Sequence, residues 1–231
     1  MQKKIYNQGQ RDRYPCLILP FVLLLVALVR ALWIKSFPTN PVEPVDAEGF
    51  MLLAQNIRAG HGFAIAWEAP FCPNTVRTPL YPAFLAMCFG VLGPHPHHIV
   101  LVQLLLEVLT GACVIRLAML WLSLLHRRKR RYIGGAFAGI FYAINGTTQR
   151  FTGYLFAENL LLPLLSLAVL FSVQTLHRPS RRRAARAALF WALAVLTKPN
   201  VQYLALGTGV MLIIYDLLHA PGAPVPWRSS C

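Results

Sequence analysis

The sequence is short of charge. Asp, Glu, Lys and Arg make up 13% of it, where a soluble domain carries about 25%. That shortage argues against a soluble helical protein with a large core. Acids are scarcest, at 8 against 22 Lys and Arg. Cysteine is sparse and unpaired in pattern. Cys16, Cys72, Cys88, Cys113 and Cys231 form no CxxC motif, which removes the signature of a cysteine metal site or a disulfide framework. Three of them lie in apolar runs and read as small buried hydrophobes. There is no basic face interleaved with aromatics, so the formal charge of +14 does not point to nucleic acid as a partner. There is no heptad array.

What the sequence does have is apolar length and segregated basic charge. Hydrophobic residues make up 56%, and mean hydropathy is +0.52. Fifteen of the 22 Lys and Arg fall within residues 3–13, 127–131 and 178–186 and at Arg228. These alternate with apolar runs, as when basic residues are retained on the cytoplasmic side of a membrane. Residues 16–34 are long enough to cross about 30 Å of hydrocarbon as a helix. Lys35, Ser36 and Phe37 follow instead of a small-residue cleavage site, so an uncleaved span is expected rather than a signal peptide. Further crossings are expected at 99–125, 132–144, 159–176, 187–196 and 201–218. Residues 80–92 are apolar but short, an interfacial or re-entrant segment. The fold class expected is therefore all-α, a polytopic membrane protein with about six transmembrane helices and interfacial helices in its first outer loop. Residues 1–14 form a cytoplasmic N-terminus, 15–218 the transmembrane module with outer loop 36–78, and 219–231 a cytoplasmic, Pro-rich tail. Five acids, Glu43, Asp46, Glu48, Glu68 and Glu158, then fall outside or at the outer boundary. Acids gathered at one face disfavour a transporter, which needs polar groups in broken helices at mid-membrane.

The longest polar interruption runs over residues 44–82. Phe50, Leu53, Ala54 and Ile57 recur at helical spacing, and Gly60-His61-Gly62 ends the pattern, so a surface helix is expected there. Asp46 and Glu48 carry two readings. They can cap and stabilise the start of this helix, or a carboxylate there can act as general base towards an acceptor. Glu158 opens an apolar run and is either a helix-start acid or a second carboxylate facing Asp46. Two such groups can share a divalent metal, so Asp46 and Glu158 are also candidate metal ligands. Arg77, before Thr78-Pro79-Leu80-Tyr81-Pro82, and Lys198, before Pro199, either snorkel to the interface or hold phosphate. Arg30 is expected to snorkel at the outer end of the first span. Glu107 and Arg116 are expected to face the bundle interior. His95, His97 and His98 read as a solvated turn more readily than as a metal site. Asn145-Gly146-Thr147 fits a glycosylation sequon.

The series Asp46, Ala54-Gln55-Asn56-Ile57-Arg58-Ala59-Gly60-His61-Gly62-Phe63 and Arg77-Thr78-Pro79-Leu80-Tyr81-Pro82-Ala83-Phe84-Leu85-Ala86 resembles the first outer loop of polyprenyl-phosphate-sugar glycosyltransferases. These belong to the GT-C superfamily, family 39, of the dolichyl-phosphate-mannose–protein mannosyltransferase and aminoarabinose-transferase type. Phe156-Ala157-Glu158-Asn159-Leu160 resembles the acid that opens the fourth helix in such proteins, and Leu196-Thr197-Lys198-Pro199 the basic turn after the fifth. The order agrees over residues 15–218.

The resemblance implies a sugar donor linked to polyprenyl phosphate, an acceptor protein, lipid or glycan at the outer face, and transfer with inversion. It implies catalytic roles for Asp46 as base and Glu158 in positioning substrate or metal, and substrate binding by Glu48, Arg77, Tyr81 and Lys198. A divalent metal is the one cofactor left open. The setting implied is an integral membrane protein of a bacterial inner membrane, its active-site loop periplasmic or extracellular and its partners lipid and sugar rather than nucleic acid. Family members continue beyond six crossings, so the chain is expected to match their N-terminal part. The rival expectation is a catalytically inactive fragment or a membrane assembly subunit.

Overall fold

The computed structural model of the protein describes residues 14–36, 40–43, 45–125, 130–178 and 180–219. Most of the basic N-terminus, Pro38, Pro44, residues 126–129 of the basic run and the tail from residue 220 lie outside the described residues. Among the described residues the chain is helical and has no strand; the one β-like pairing is an isolated bridge between Ala64 and Pro73. The helices are α1 (Tyr14–Ser36), α2 (Val45–Ala59), α3 (Leu80–Leu92), α4 (Pro96–Leu124), α5 (Arg131–Ala143), α6 (Gly146–Thr152), α7 (Glu158–His177), α8 (Arg181–Thr197) and α9 (Val201–His219).

Local chemistry explains most boundaries. α2 stops where Gly60 takes φ +81°, and Gly62 follows at +77°, a left-handed backbone that glycine adopts without a Cβ clash. α3 begins after Pro79 and stops before Gly93 at φ +87°. α4 opens with Pro96 at its first position, behind an extended His95, where the missing proline N–H costs no helical bond. α6 is capped by Asn145, whose side chain accepts from the Thr148 N–H at 3.1 Å.

Among the described residues, three helices are long and apolar enough to cross a membrane: α1 over Leu19–Ser36, α4 over Pro96–Ser123 and α7 over Glu158–His177. Leu80–Leu92 and Val201–Ile214 are shorter apolar helices. Phe21, Leu24, Leu28 and Leu32 stand exposed along one stripe of α1, and Leu101, Leu105 and Leu109 along one of α4. Continuous exposed apolar stripes on long helices suit hydrocarbon and not water. The composition, the helix lengths and these stripes together fit a membrane protein.

The chain divides into two compact units. The first comprises residues 1–48 and 92–159, the second 49–91 and 160–231. In the first, α1, α4 and α5 pack together around Val22, Ile115 and Met119. α5 approaches closely through small residues: a Cβ on Gly139 would lie 2.5 Å from Val22 Cγ1, and one on Gly135 2.7 Å from Met119 Cγ. Glycine at such positions lets helix backbones meet where side-chain packing drives association. The second unit has its core around Leu161, Ala168, Trp191, Ala194 and Val201. There the Trp191 indole N–H donates to Ser172 Oγ at 3.1 Å, satisfying a polar group that burial would otherwise penalise.

Two expectations about buried charge meet different outcomes. Arg30 does not snorkel. It is fully buried, and its Nε lies 3.4 Å from Glu107 Oε2, with both side chains at 0% exposure. Its NH2 group donates to the Tyr142 carbonyl (2.9 Å) and Thr148 Oγ1 (2.5 Å), and NH1 to the Asn145 carbonyl (3.2 Å). α1 continues to Ser36, so Arg30 lies more than a turn inside the helix end, and it closes the C-terminal end of α5 with charge of the favourable sign. Glu107 does face the interior, where it also accepts the Tyr142 hydroxyl at 2.5 Å. Arg116 is exposed. Ile115 and Met119 occupy the face of α4 turned to the core, and about 100° per residue carries Arg116 round to the outer side.

Candidate functional site

The acids of the expected site fall in the first unit and its cations in the second. α2 begins at Val45, so Asp46 and Glu48 lie in its first turn. Asp46 is therefore inside the helix and not at the cap position; the helix starts two residues earlier than an Asp46 cap would place it. Both carboxylates are exposed, and their charge is favourable beside the free N–H groups of a helix start. Glu158 opens α7 in the same way and is half-buried.

A main-chain bond joins the segments that carry these acids. The Leu155 N–H donates to the Pro41 carbonyl at 3.0 Å. Pro41 stands shortly before Asp46 and Leu155 shortly before Glu158. Both Pro41 and Leu155 are buried, so the bond is shielded from competing water. Around it, Asn159 Nδ2 donates to the Phe151 carbonyl (2.8 Å) and the Tyr154 carbonyl (2.9 Å). The residues between α5 and α7, which join the crossings expected at 132–144 and 159–176, contain α6 and a dense set of buried amides. Gln149 Nε2, for example, donates to the Ala143 carbonyl at 2.8 Å. The signal that could have revealed them is Gln149, Thr152 and Asn159 recurring between two apolar runs.

In the second unit Arg77 is half-buried. Its guanidinium carbon stands 4.4 Å from the centre of the Phe50 ring, within cation–π range. Gly49 makes the approach possible, because a Cβ there would come within 2.7 Å of an Arg77 guanidinium nitrogen. The Asn74 side chain accepts from the Val76 N–H (2.8 Å) and the Arg77 N–H (3.3 Å), an Asx-type turn that sets the backbone ahead of Pro79. Thr78 Oγ1 then donates to the Thr197 carbonyl at 2.7 Å. Thr78 follows Arg77, and Thr197 precedes Lys198. One hydrogen bond therefore fastens the two cation-bearing turns together. Lys198 is half-buried and extended (φ −151°, ψ 116°), with its N–H donating to the Ala194 carbonyl at the end of α8. Tyr81 is fully buried, with its ring edge-on to Phe50 at 5.0 Å. It packs beneath the aromatic that carries Arg77.

The loop before Arg77 is also built. Buried Asn56 donates through Nδ2 to the carbonyls of Ala64 and Ala66, both at 2.8 Å. Ile65 N–H donates to Cys72 (3.2 Å), Asn74 N–H to Phe63 (2.8 Å), and His61 stacks on Phe71 at 3.9 Å. Among the described residues, no three His, Cys, Asp or Glu side chains gather as a metal-binding group. His98 Nδ1 lies 2.7 Å from the Leu92 carbonyl, and the His95 and His98 rings meet edge to face. Asn145, the candidate sequon residue, uses its side chain as the cap of α6. No family model, no curated protein and no solved structure matches the chain.

Proposed function

We propose that the protein is a membrane glycosyltransferase that moves a sugar from a polyprenyl-phosphate donor to an acceptor at the outer membrane face, with inversion at the anomeric carbon. The observation that carries this reading is the Thr78–Thr197 bond. Arg77 and Lys198, picked from separate stretches as phosphate-binding cations, are the chain neighbours of its two partners. A guanidinium matches phosphate oxygens in a fork, and a second cation adds to stabilisation of the departing lipid phosphate. Asp46 acts as the base that takes the acceptor proton, and Glu158 positions substrate or a divalent metal. Glu48 completes the substrate-binding set, and Tyr81, fully buried, serves it by supporting Phe50, the ring that carries Arg77. In this reading the chain crosses the membrane six times, with residues 36–78 on the outer, periplasmic or extracellular side of a bacterial inner membrane.

The test is sugar transfer from a polyprenyl-phosphate-linked donor by membranes containing the protein. Asp46→Asn should lower turnover by about a hundredfold or more, the usual scale of a lost general base, with undiminished folded protein. Gly49→Ala is the companion variant. Its methyl group displaces the Arg77 guanidinium, so donor KM is expected to rise while thermal stability holds. Transfer that survives Asp46→Asn unchanged would remove the catalytic assignment.

A further inference from the structure

We infer that Gln103 is a positioning residue for Glu158, an inference that rests on the glycosyltransferase reading for its catalytic consequence. Gln103 sits in α4 and is fully buried. Its Nε2 donates to the Thr152 carbonyl at 2.9 Å and the Tyr154 carbonyl at 3.0 Å. These carbonyls belong to the turn through which the chain leaves α6 and approaches α7. Asn159 donates to the same Tyr154 carbonyl from the other side at 2.9 Å. That oxygen therefore accepts from two side-chain amides, one local and one from α4, and from the Phe156 N–H at 2.9 Å. Thr152 and Asn159 are both at 0% exposure.

The division of labour follows from sequence separation. Asn159 and Gln149 bond to residues close to them in sequence, so they shape the turn without anchoring it. Gln103 reaches across 49 and 51 residues. It ties the turn to the long helix α4, while Leu155 ties its next residue to Pro41. A turn fixed on two sides delivers Glu158 at a set position three residues after Leu155. Buried carbonyls without donors are costly, so losing Gln103 loosens the turn. A misplacement of about 1 Å at a reacting group is enough to lower a rate by roughly a hundredfold.

Gln103→Met keeps the volume and removes both donors; Gln103→Asn keeps the amide on a shorter stem. Hydrogen exchange of the purified full chain in lipid nanodiscs reads the turn through the amides of Tyr154, Leu155 and Asn159, all hydrogen-bonded. In Gln103→Met, exchange over residues 151–159 should rise about tenfold, the scale of orphaning one buried acceptor, the Thr152 carbonyl, while Asn159 still holds the Tyr154 carbonyl. Gln103→Asn should fall between it and wild type, and residues 161–170 of the second unit should be unchanged. In the transfer assay, kcat falls while donor KM holds. Wild-type exchange in Gln103→Met, or a rise spread evenly over both units, overturns the positioning role. If Gln103→Met does not accumulate, Gln103→Asn decides by the same measurement. An absence of transfer by the wild type overturns the glycosyltransferase reading separately, because the exchange result does not depend on it.

Discussion

At the scale of single residues, Arg30 is where the first unit converges. Its guanidinium meets Glu107 from α4, two carbonyls at the end of α5 and the Thr148 hydroxyl of α6. An ion pair in an apolar interior contributes little net stability, yet removal of one partner is severe because the other charge is stranded. Arg30→Gln should therefore destabilise the protein by about 3–5 kcal/mol, and Glu107→Gln by a comparable amount. The double variant should be less damaged than the two losses added together, since no charge is left alone. Thermal unfolding of the four proteins in one detergent measures the coupling, and strict additivity would show that the pair does not act as one. Recovery should stay partial, because the carbonyls of Tyr142 and Asn145 still lack their guanidinium. This role was not legible in the sequence. Opposite charges in two apolar runs hint at a pair, but the third and fourth partners are backbone and hydroxyl groups, which no charge pattern marks.

At the scale of elements, punctuation was readable and polar helices were not. α3 has the bounds its flanking Pro79 and Gly93 predict, and α2 ends at the predicted glycines. α6 escaped because its seven residues are polar and too few to show a period. α8 starts at Arg181, six residues ahead of the apolar run expected from 187. Arginine is a good helix former, so the helix extends through residues that hydropathy assigns to a loop. α5 is short for a crossing, and its role rests on close packing. Gly139 faces Val22 and Ile115, with less than 3 Å available to a Cβ, and the opposing atoms are branched side chains in the core. Gly139→Ala should cost about 1–3 kcal/mol by overpacking, whereas Gly207→Ala on α9, where nothing lies within 4 Å, should not lower stability and adds helix propensity. Melting temperatures of the two variants test this contrast. Equal effects would mean that α5 does not rely on that close approach.

At the scale of the whole molecule, the open choice is between three crossings and six, and charge decides which is expected. If α1, α4 and α7 alone crossed, the segment at 145–152 would stay on the side of the basic run at 127–131, and the arginines at 178–186 would emerge opposite it. Two strongly basic segments on opposite faces run against the retention of Lys and Arg on one side. If α5, α8 and α9 cross as well, both basic segments share a face, and residues 60–76, Thr147 and Asn200 share the other. The two arrangements therefore assign Thr147 and Arg182 to opposite sides. Cys72 is exposed and serves as the outer reference in a protein whose other cysteines are replaced by Ala. Thr147→Cys and Arg182→Cys, both at exposed positions, are placed singly in a cysteine-free protein. An impermeant maleimide added to sealed cells should label Cys72 and Thr147→Cys, and reach Arg182→Cys only after the membrane is opened. Labelling of Arg182→Cys together with Cys72 in sealed cells, with Thr147→Cys protected, would instead establish the three-crossing arrangement. Lys198 and Arg77 would still share a face, but Glu158 would enter α7 from the opposite side to Asp46; the Leu155 N–H could then not reach the Pro41 carbonyl, so that outcome would overturn the packing of the first unit along with any single reaction centre for the two acids.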